Sequence, residues 1–440
     1  MPSGPDLDAL RAEALGAVER YAAAAFEAEL EFVPGETNVS VAGKVIGVPE
    51  LRTLVDAALD GWLTEGRYAV EFRARLAEVT ERPHVALVGS GSQANLLAVA
   101  ASRSHLHERP LQPGDEVVTP AIGFPTTVAP LYQHGLRPVY VDVEADTYNP
   151  SLEVFADAIG PRTRGILAAH CLGNPFDGPG LEALCREHDL VLIEDCCDAL
   201  GSRIGGRQAG TFGAAATYSF YPAHHMTTGE GGAVGTTDDT WARAVGSLRE
   251  WGRDCWCPPG FDGVCGRRFD GRFGDLPAGY DHKYVFSHVG YNLKVTDMQA
   301  ALGVAQTHRL ESFAARRREN FDRLHAALQE LEDRVVLPRE LPEAEPNWFG
   351  YPLTLREGGA EARRSLQLHL LEHRIDSRLL LAGNMTLQPG FQGLDHRVHK
   401  DLGAADRITE AALWVGCHPG LSPPMIDWIA ECVTNWLRER

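Results

Sequence analysis

The run Val88-Gly89-Ser90-Gly91-Ser92-Gln93-Ala94-Asn95 joins an apolar strand-like stretch, Val85 to Val88, to a helical pattern from Gln93 to Ser104. A strand that turns through glycine and serine straight into a helix is one joint of a βαβ unit. The alternation continues outward. Val117 to Thr119, Val139 to Val143, Ile166 to His170 and Leu190 to Ile193 are short apolar runs, with helical patterns such as Leu181 to His188 between them. Short buried strands joined by helices predict a mostly parallel sheet covered on both faces, with ligands gathered at the carboxyl ends of its strands. Upstream, an amphipathic helix is expected from about Asp8 to Phe32, and a second from after Pro49 to Leu63. Downstream, a long helical pattern runs from Asp297 to about Leu331. It leads into Tyr351 to Leu355, a helix near Glu361 to His373 and a last helix near Ile426 to Leu437. The chain is therefore read as a helical segment over 1–50, a large α/β domain over 51–310 and a smaller C-terminal α/β domain over 311–440.

With 440 residues, 44% hydrophobic and 23% charged, the composition is that of a globular enzyme and excludes a disordered tail. Sixty acidic against 41 basic side chains give a formal charge of -19, so nucleic acid is not an expected partner. A phosphate-bearing ligand must be held by local donors. No apolar run approaches the ~18 residues of a membrane helix. The start, Met1 to Asp6, has neither a basic nor an apolar leader region, so a cytoplasmic protein is expected. Nine cysteines, two of them adjacent at Cys196 and Cys197, suit reduced thiols or metal ligands better than a disulfide framework.

Three stretches bear on chemistry. The Ser90-Gly91-Ser92 turn offers free backbone N–H groups and a helix dipole to an anion such as a phosphate, although plain backbone geometry also calls for glycine there. Val191-Leu192-Ile193-Glu194-Asp195 is a buried strand ending in carboxylates. Asp195 is placed either to pair with a protonated pyridine nitrogen or to cap the next helix. Between Trp251 and Tyr280 lie seven glycines, three cysteines and no sustained period, a length of irregular chain that needs something other than packing to organise it.

The segment Ser219-Phe220-Tyr221-Pro222-Ala223-His224-His225-Met226-Thr227-Thr228-Gly229-Glu230-Gly231-Gly232 resembles the motif of the DegT-type sugar aminotransferases, enzymes of the fold type I, pyridoxal phosphate-dependent class. In that family a lysine five residues after the serine forms the Schiff base with the coenzyme. Here that position is His224. An imidazole moves a proton near neutral pH but cannot condense with an aldehyde. The departure therefore implies pyridoxamine 5'-phosphate held without a covalent bond, with His224 as the base.

Cys197, Cys255, Cys257 and Cys265 are spaced C-x57-C-x-C-x7-C, a set of thiols that suits zinc or an iron–sulfur centre. Together with the histidine, this spacing resembles the nucleotide-linked 4-keto-6-deoxyhexose 3-dehydrases, which use pyridoxamine phosphate and a [2Fe-2S] cluster. Gly61-Trp62-Leu63, Arg253-Asp254-Cys255-Trp256-Cys257, Gly290 to Ala300, Trp348-Phe349-Gly350 and His418-Pro419-Gly420-Leu421 belong to the same likeness. The resemblance implies that Ser90, Gly91, Ser92 and Ser219 hold the phosphate, that Asp195 pairs with the ring nitrogen and that Phe124 stacks on the ring. It implies that Asn292 reaches the neighbouring subunit's phosphate across a homodimer, and that Asp198, Tyr221 and Phe349 line the site. Arg378 and Asn384 are candidate substrate contacts. The implied reaction is C3 deoxygenation of a nucleotide-linked 4-keto-deoxyhexose, with electrons from an external reductase or ferredoxin. Arg267, Arg268 and Arg272 could form a basic patch for such an acidic carrier, or simply a solvated loop. Two other readings remain: a glutamate-dependent 3-dehydratase or sugar aminotransferase without electron transfer, and a zinc-stabilised, non-catalytic sugar-nucleotide-binding protein.

Overall fold

The computed structural model describes residues 6–26, 31–266 and 268–439. Its centre is an eight-stranded sheet in the order His84–Val88, Gly232–Thr236, Ala215–Ser219, Val191–Asp195, Thr163–Ala169, Glu116–Pro120, Arg137–Val141, Arg397–Val398. Gly232–Thr236 runs antiparallel to both neighbours and the other pairings are parallel. The central strands are buried on both faces, as their unbroken apolar runs require. The helix Gly91–Ser102 is built from small residues and is buried along most of its length, which lets it lie flat on the sheet. A second sheet, antiparallel throughout, is ordered Val335–Val336, Gly350–Leu355, Ala412–Gly416, Ser377–Leu379. Its core includes Leu353, Val415, Trp348 and Trp436, packed by the helices Gly359–Glu372 and Pro423–Arg438.

The predicted α/β class with a large, mostly parallel sheet is what the chain forms, and the five strands read from apolar runs are present. Other expectations are corrected. The N-terminal helix spans Leu7–Phe26; residues 27–30 lie outside the described residues, and Phe32 is not helical. The long helix splits into Asp297–Thr307 and Leu310–Leu328, because Arg309 turns at the break toward the buried carboxylate of Glu50, 3.2 Å away. The strands Ala215–Ser219 and Gly232–Thr236 flank the Ser219 to Gly232 segment and were hidden in sequence by their small residues, alanine, glycine and threonine. Within Trp251 to Tyr280 the described residues form neither helix nor strand.

One buried carboxylate organises the sheet edge nearest the chemistry. Glu194 accepts hydrogen bonds from the backbone N–H of Gly210 (2.9 Å), Phe212 (2.7 Å) and Gly213 (2.6 Å) and from His170 Nε2 (3.2 Å). Arg82 lies 3.7 Å from it and donates to the carbonyls of Gly210 and Gly213. Burial opposes ionisation, but His170, Arg82 and the Gly213 N–H outweigh it and hold the carboxyl below the ordinary glutamate range. The network ties loop 210–213 to the end of the strand that carries Asp195. Glu194→Ala is expected to cost roughly 3–5 kcal/mol, because it strands buried N–H groups and a buried guanidinium. A thermal unfolding midpoint unchanged from the parent would contradict this. Since the folded-state value is depressed, the stabilisation is complete above the ordinary glutamate range and is lost as the pH falls below it.

Candidate active site

The carboxyl end of the sheet brings the sequence-predicted coenzyme residues together. Ser90 caps the helix Gly91–Ser102, its Oγ accepting from Gln93 N at 3.1 Å, while Gln93 Oε1 accepts from Gly89 N at 2.8 Å. This fixes the turn with first-turn N–H groups directed out of the helix. Ser92 Oγ donates to Thr126 Oγ1 at 2.8 Å. A Cβ on Gly91 would lie 2.6 Å from Ser219 Cβ and 2.8 Å from Cys197 Sγ, so glycine lets the helix start close directly onto the Ser219 strand end and the Cys197 turn. A helix N-terminus facing a serine hydroxyl fits a phosphate.

Asp195 fits the other end of such a coenzyme. It is 4% exposed, and Oδ2 accepts from Asn95 Nδ2 (2.8 Å) and Thr127 Oγ1 (2.7 Å), with Oδ1 accepting from Cys197 N (3.0 Å). Thr217 Oγ1 in turn donates to Asn95 Oδ1 at 2.6 Å. Among the described residues no cation pairs with Asp195. A buried carboxylate held only by neutral donors is suited to a protonated heterocyclic nitrogen. Phe124, just before the helix Pro125–Gln133 that carries Thr127, and Tyr221, two residues beyond Ser219, are 53% and 51% exposed.

The two adjacent histidines differ in kind. His225 is 2% exposed and donates from Nε2 to the Asn347 carbonyl at 2.7 Å; burial, with Arg317 adding, pushes it well below the ordinary histidine range. It is a packed structural residue. His224 is only partly buried, with Nδ1 3.2 Å from Asp198 Oδ1 and its ring centroid 5.2 Å from that of Phe349. Its carbonyl accepts from Arg317 Nη2 at 3.3 Å. Arg317 also donates to the carbonyls of Trp348 (3.2 Å) and Phe349 (3.0 Å), so one buried guanidinium holds both segments.

Other expectations do not converge here. Asn384 is buried and fully engaged: Oδ1 accepts from Thr386 N and Oγ1, and Nδ2 donates to Asp406 Oδ1 at 2.7 Å. These bonds shape the turn at 384–386. Arg378 is exposed on the edge strand Ser377–Leu379 and donates to the adjacent Ser377 carbonyl. Asn292 is exposed and bridges to Glu250. In the anticipated basic patch, Arg268 is tied to Asp281 (2.7 Å) and Asp262 (3.2 Å), so its charge is compensated; Arg267 lies outside the described residues, and Arg272 is exposed.

Of the four cysteines, Cys197 lies beside Gly91, where burial and then Asp195 and Asp198 push the thiol well above its ordinary range. Cys255 and Cys257 are buried in the irregular loop, with Cys257 N donating to Cys255 Sγ at 3.5 Å. Cys265 adds to the electrostatic environment of Cys255 and bonds to His282, whose Nε2 is held by Asp254 Oδ2 at 2.7 Å. Among the described residues the one group of three or more candidate ligand atoms mutually within 4.8 Å is His170, Glu194 and Cys196. Sequence reading also passed over Asn95, Thr127, Arg317 and Asn347. A lone asparagine four residues into an alanine-rich buried helix was the one legible signal among them.

A mostly parallel sheet with an anion cradle at a strand-to-helix turn and a buried carboxylate at a neighbouring strand end is the architecture of the pyridoxal phosphate-dependent aminotransferase-like enzymes. The family model of the DegT/DnrJ/EryC1/StrS aminotransferase family matches residues 45–434, and the chain belongs to that family. It is 48% identical over 401 residues to the lipopolysaccharide biosynthesis protein RfbH of Salmonella typhimurium, covering 91% of this chain and 92% of the relative. It is 45% identical over 407 residues to a dTDP-4-dehydro-2,6-dideoxy-D-glucose 3-dehydratase of Saccharopolyspora spinosa, covering 92% and 88%. Among solved structures, a GDP-4-keto-6-deoxymannose-3-dehydratase with a trapped PLP-glutamate geminal diamine superposes with a TM-score of 0.80 at 26% identity, covering 90% of this chain and all of that one. Among the described residues no helix is long and apolar enough to cross a membrane.

Gly91→Ala is expected to push Ser219 and Cys197 off the helix start, weakening pyridoxal phosphate binding by about tenfold or more in an absorbance titration. Undiminished affinity would mean that the phosphate lies elsewhere.

Proposed function

We propose that this protein removes the C3 hydroxyl of a nucleotide-linked 4-keto-6-deoxyhexose, using pyridoxamine 5'-phosphate held by non-covalent contacts and His224 as the base. The observation that carries the reading is His224 itself, an imidazole where the family motif has its coupling lysine, backed by a carboxylate and open to the cleft. The 3-dehydratase names of relatives at 45% and 26% identity support it. When bound, the coenzyme supplies an amine for the ketone and an electron sink that acidifies neighbouring C–H bonds.

The chain's own residues supply the rest. Ser90, Gly91, Ser92 and Ser219 hold the phosphate, and Asp195 keeps the ring nitrogen protonated. Phe124 stacks on the ring, while Tyr221 and Phe349 exclude water around it. With Nδ1 turned toward Asp198, His224 Nε2 is the atom left to accept a proton and hand it on. Asn292 is assigned to the partner subunit's phosphate in a homodimer.

Two endings of the reaction differ in what they require. In the one without electron transfer, glutamate restores the amine; the trapped PLP-glutamate adduct of the structural neighbour favours it. The reductive ending needs a [2Fe-2S] cluster and an external reductase or ferredoxin. One observation favours it: Cys255, Cys257 and Cys265 share a loop that has no regular structure of its own. Cys197, Cys255, Cys257 and Cys265 would hold such a centre, and no step is routed through it.

His224→Asn is expected to lower turnover by roughly 10²–10⁴-fold while coenzyme still binds. His224→Lys should let the protein attach pyridoxal phosphate covalently, detected by mass after borohydride reduction; no attachment would mean that position 224 does not face the coenzyme carbon. Anaerobic analysis decides between the endings. Turnover with glutamate in metal-free protein selects the first, whereas iron and acid-labile sulfide at about two each per chain select the second.

A further inference from the structure

We infer that Asp198 is the positioning carboxylate of His224, holding the imidazole proton on Nδ1 so that Nε2 is the basic atom; this rests on the reading of His224 given above. The turn after Val191–Asp195 delivers two carboxylates three residues apart with different surroundings. Asp195 is saturated by Asn95, Thr127 and the Cys197 N–H. Asp198 instead has Oδ1 3.2 Å from His224 Nδ1, and both side chains are mostly buried. That nitrogen is shielded from solvent and makes no other hydrogen bond; at 3.2 Å it stands within ion-pair distance of the carboxylate but off the line of a hydrogen bond. Catalytic contacts of this kind commonly tighten once ligand fills the site. A carboxylate on one imidazole nitrogen fixes the tautomer and leaves the other nitrogen as the base.

Both halves of the pair are anchored to one residue, Asn347. On the histidine side, its carbonyl accepts from His225 Nε2 at 2.7 Å. On the aspartate side, its Nδ2 donates to the Leu200 carbonyl (2.8 Å) and its backbone N–H to Ser202 Oγ (2.9 Å), fixing the turn two to four residues beyond Asp198. Gly173, at φ +88°, permits the approach: a Cβ there would stand 2.2 Å from the Asn347 carbonyl oxygen and 2.8 Å from that of Asp198. Arg317 closes the frame through the carbonyls of His224, Trp348 and Phe349. The charged or titratable groups facing His224 are thus Asp198 on the strand-end turn, Arg317 on the helix Leu310–Leu328 and His225 in its own segment; Phe349 contributes only an uncharged ring.

A carboxylate selects the Nδ1–H tautomer more strongly than an amide does, so neutralising it loosens the choice of basic nitrogen. The test compares Asp198→Asn with Asp198→Glu and the parent, with coenzyme added, by separate kcat and KM values and by nitrogen NMR of histidine-labelled parent protein. Asp198→Asn is expected to lower kcat roughly 10–100-fold with KM nearly unchanged, with Asp198→Glu restoring part of the loss. The parent's His224 signal should show its proton on Nδ1 in neutral solution. The inference is overturned if Asp198→Asn raises only KM or weakens only coenzyme binding with kcat unchanged, which would make Asp198 a coenzyme contact. It is equally overturned if the parent carries the proton on Nε2, a measurement that stands even if the variants fail to fold. A fully active His224→Asn would instead remove the functional reading itself.

Discussion

The end of the strand Val191–Asp195 is the constraint on which the site depends. Successive strand residues face opposite sides of a sheet, so Glu194 and Asp195 are sent in opposite directions. Glu194 turns into the protein, where three backbone N–H groups, His170 and Arg82 lock it to loop 210–213. Asp195 turns to the cleft, where Asn95 and Thr127 hold it as a charge without a cation. One carboxylate is fully compensated and supplies rigidity; the other is left with one charge to offer. The helix Gly91–Ser102 is set by the same packing, because Asn95 on its second turn bonds the Asp195 carboxylate while its first turn forms the anion cradle.

A second layer of buried polar groups links this strand end to the C-terminal half. Arg317, with no carboxylate bonded to it among the described residues, donates to three backbone carbonyls, and burial lowers its basicity, a cost that only a well-ordered frame sustains. Asn347 bonds in both directions across the junction. The segments bearing His224 and Phe349 therefore come from distant parts of the chain yet are tied to one guanidinium. This is how a histidine on an irregular turn obtains the fixed orientation expected of a base.

Much of this was legible in the sequence wherever chemistry and periodicity coincide. The apolar runs ending at Val88 and Asp195 located two strands, and the glycine–serine turn after Val88 located the cradle. The five-residue step from Ser219 singled out His224 over His225, a choice that the burial of His225 supports. What escaped was whatever depends on contacts between distant segments. Small-residue strands such as Ala215–Ser219 carry no apolar signal, and the helix break at His308 arises from the Glu50 carboxylate 259 residues from Arg309. Asn384, read as a substrate contact, bonds to Thr386 and Asp406, partners that its local sequence does not announce.

The most direct test of the account is the mass of the product formed when the protein, loaded with pyridoxamine phosphate under anaerobic conditions, meets a panel of nucleotide-linked 4-keto-6-deoxyhexoses with either glutamate or a reductase present. The account predicts a sugar that has lost its C3 oxygen while keeping the keto group at C4. A product bearing an amine at C4 with the C3 hydroxyl intact would contradict it and make the protein a transaminase.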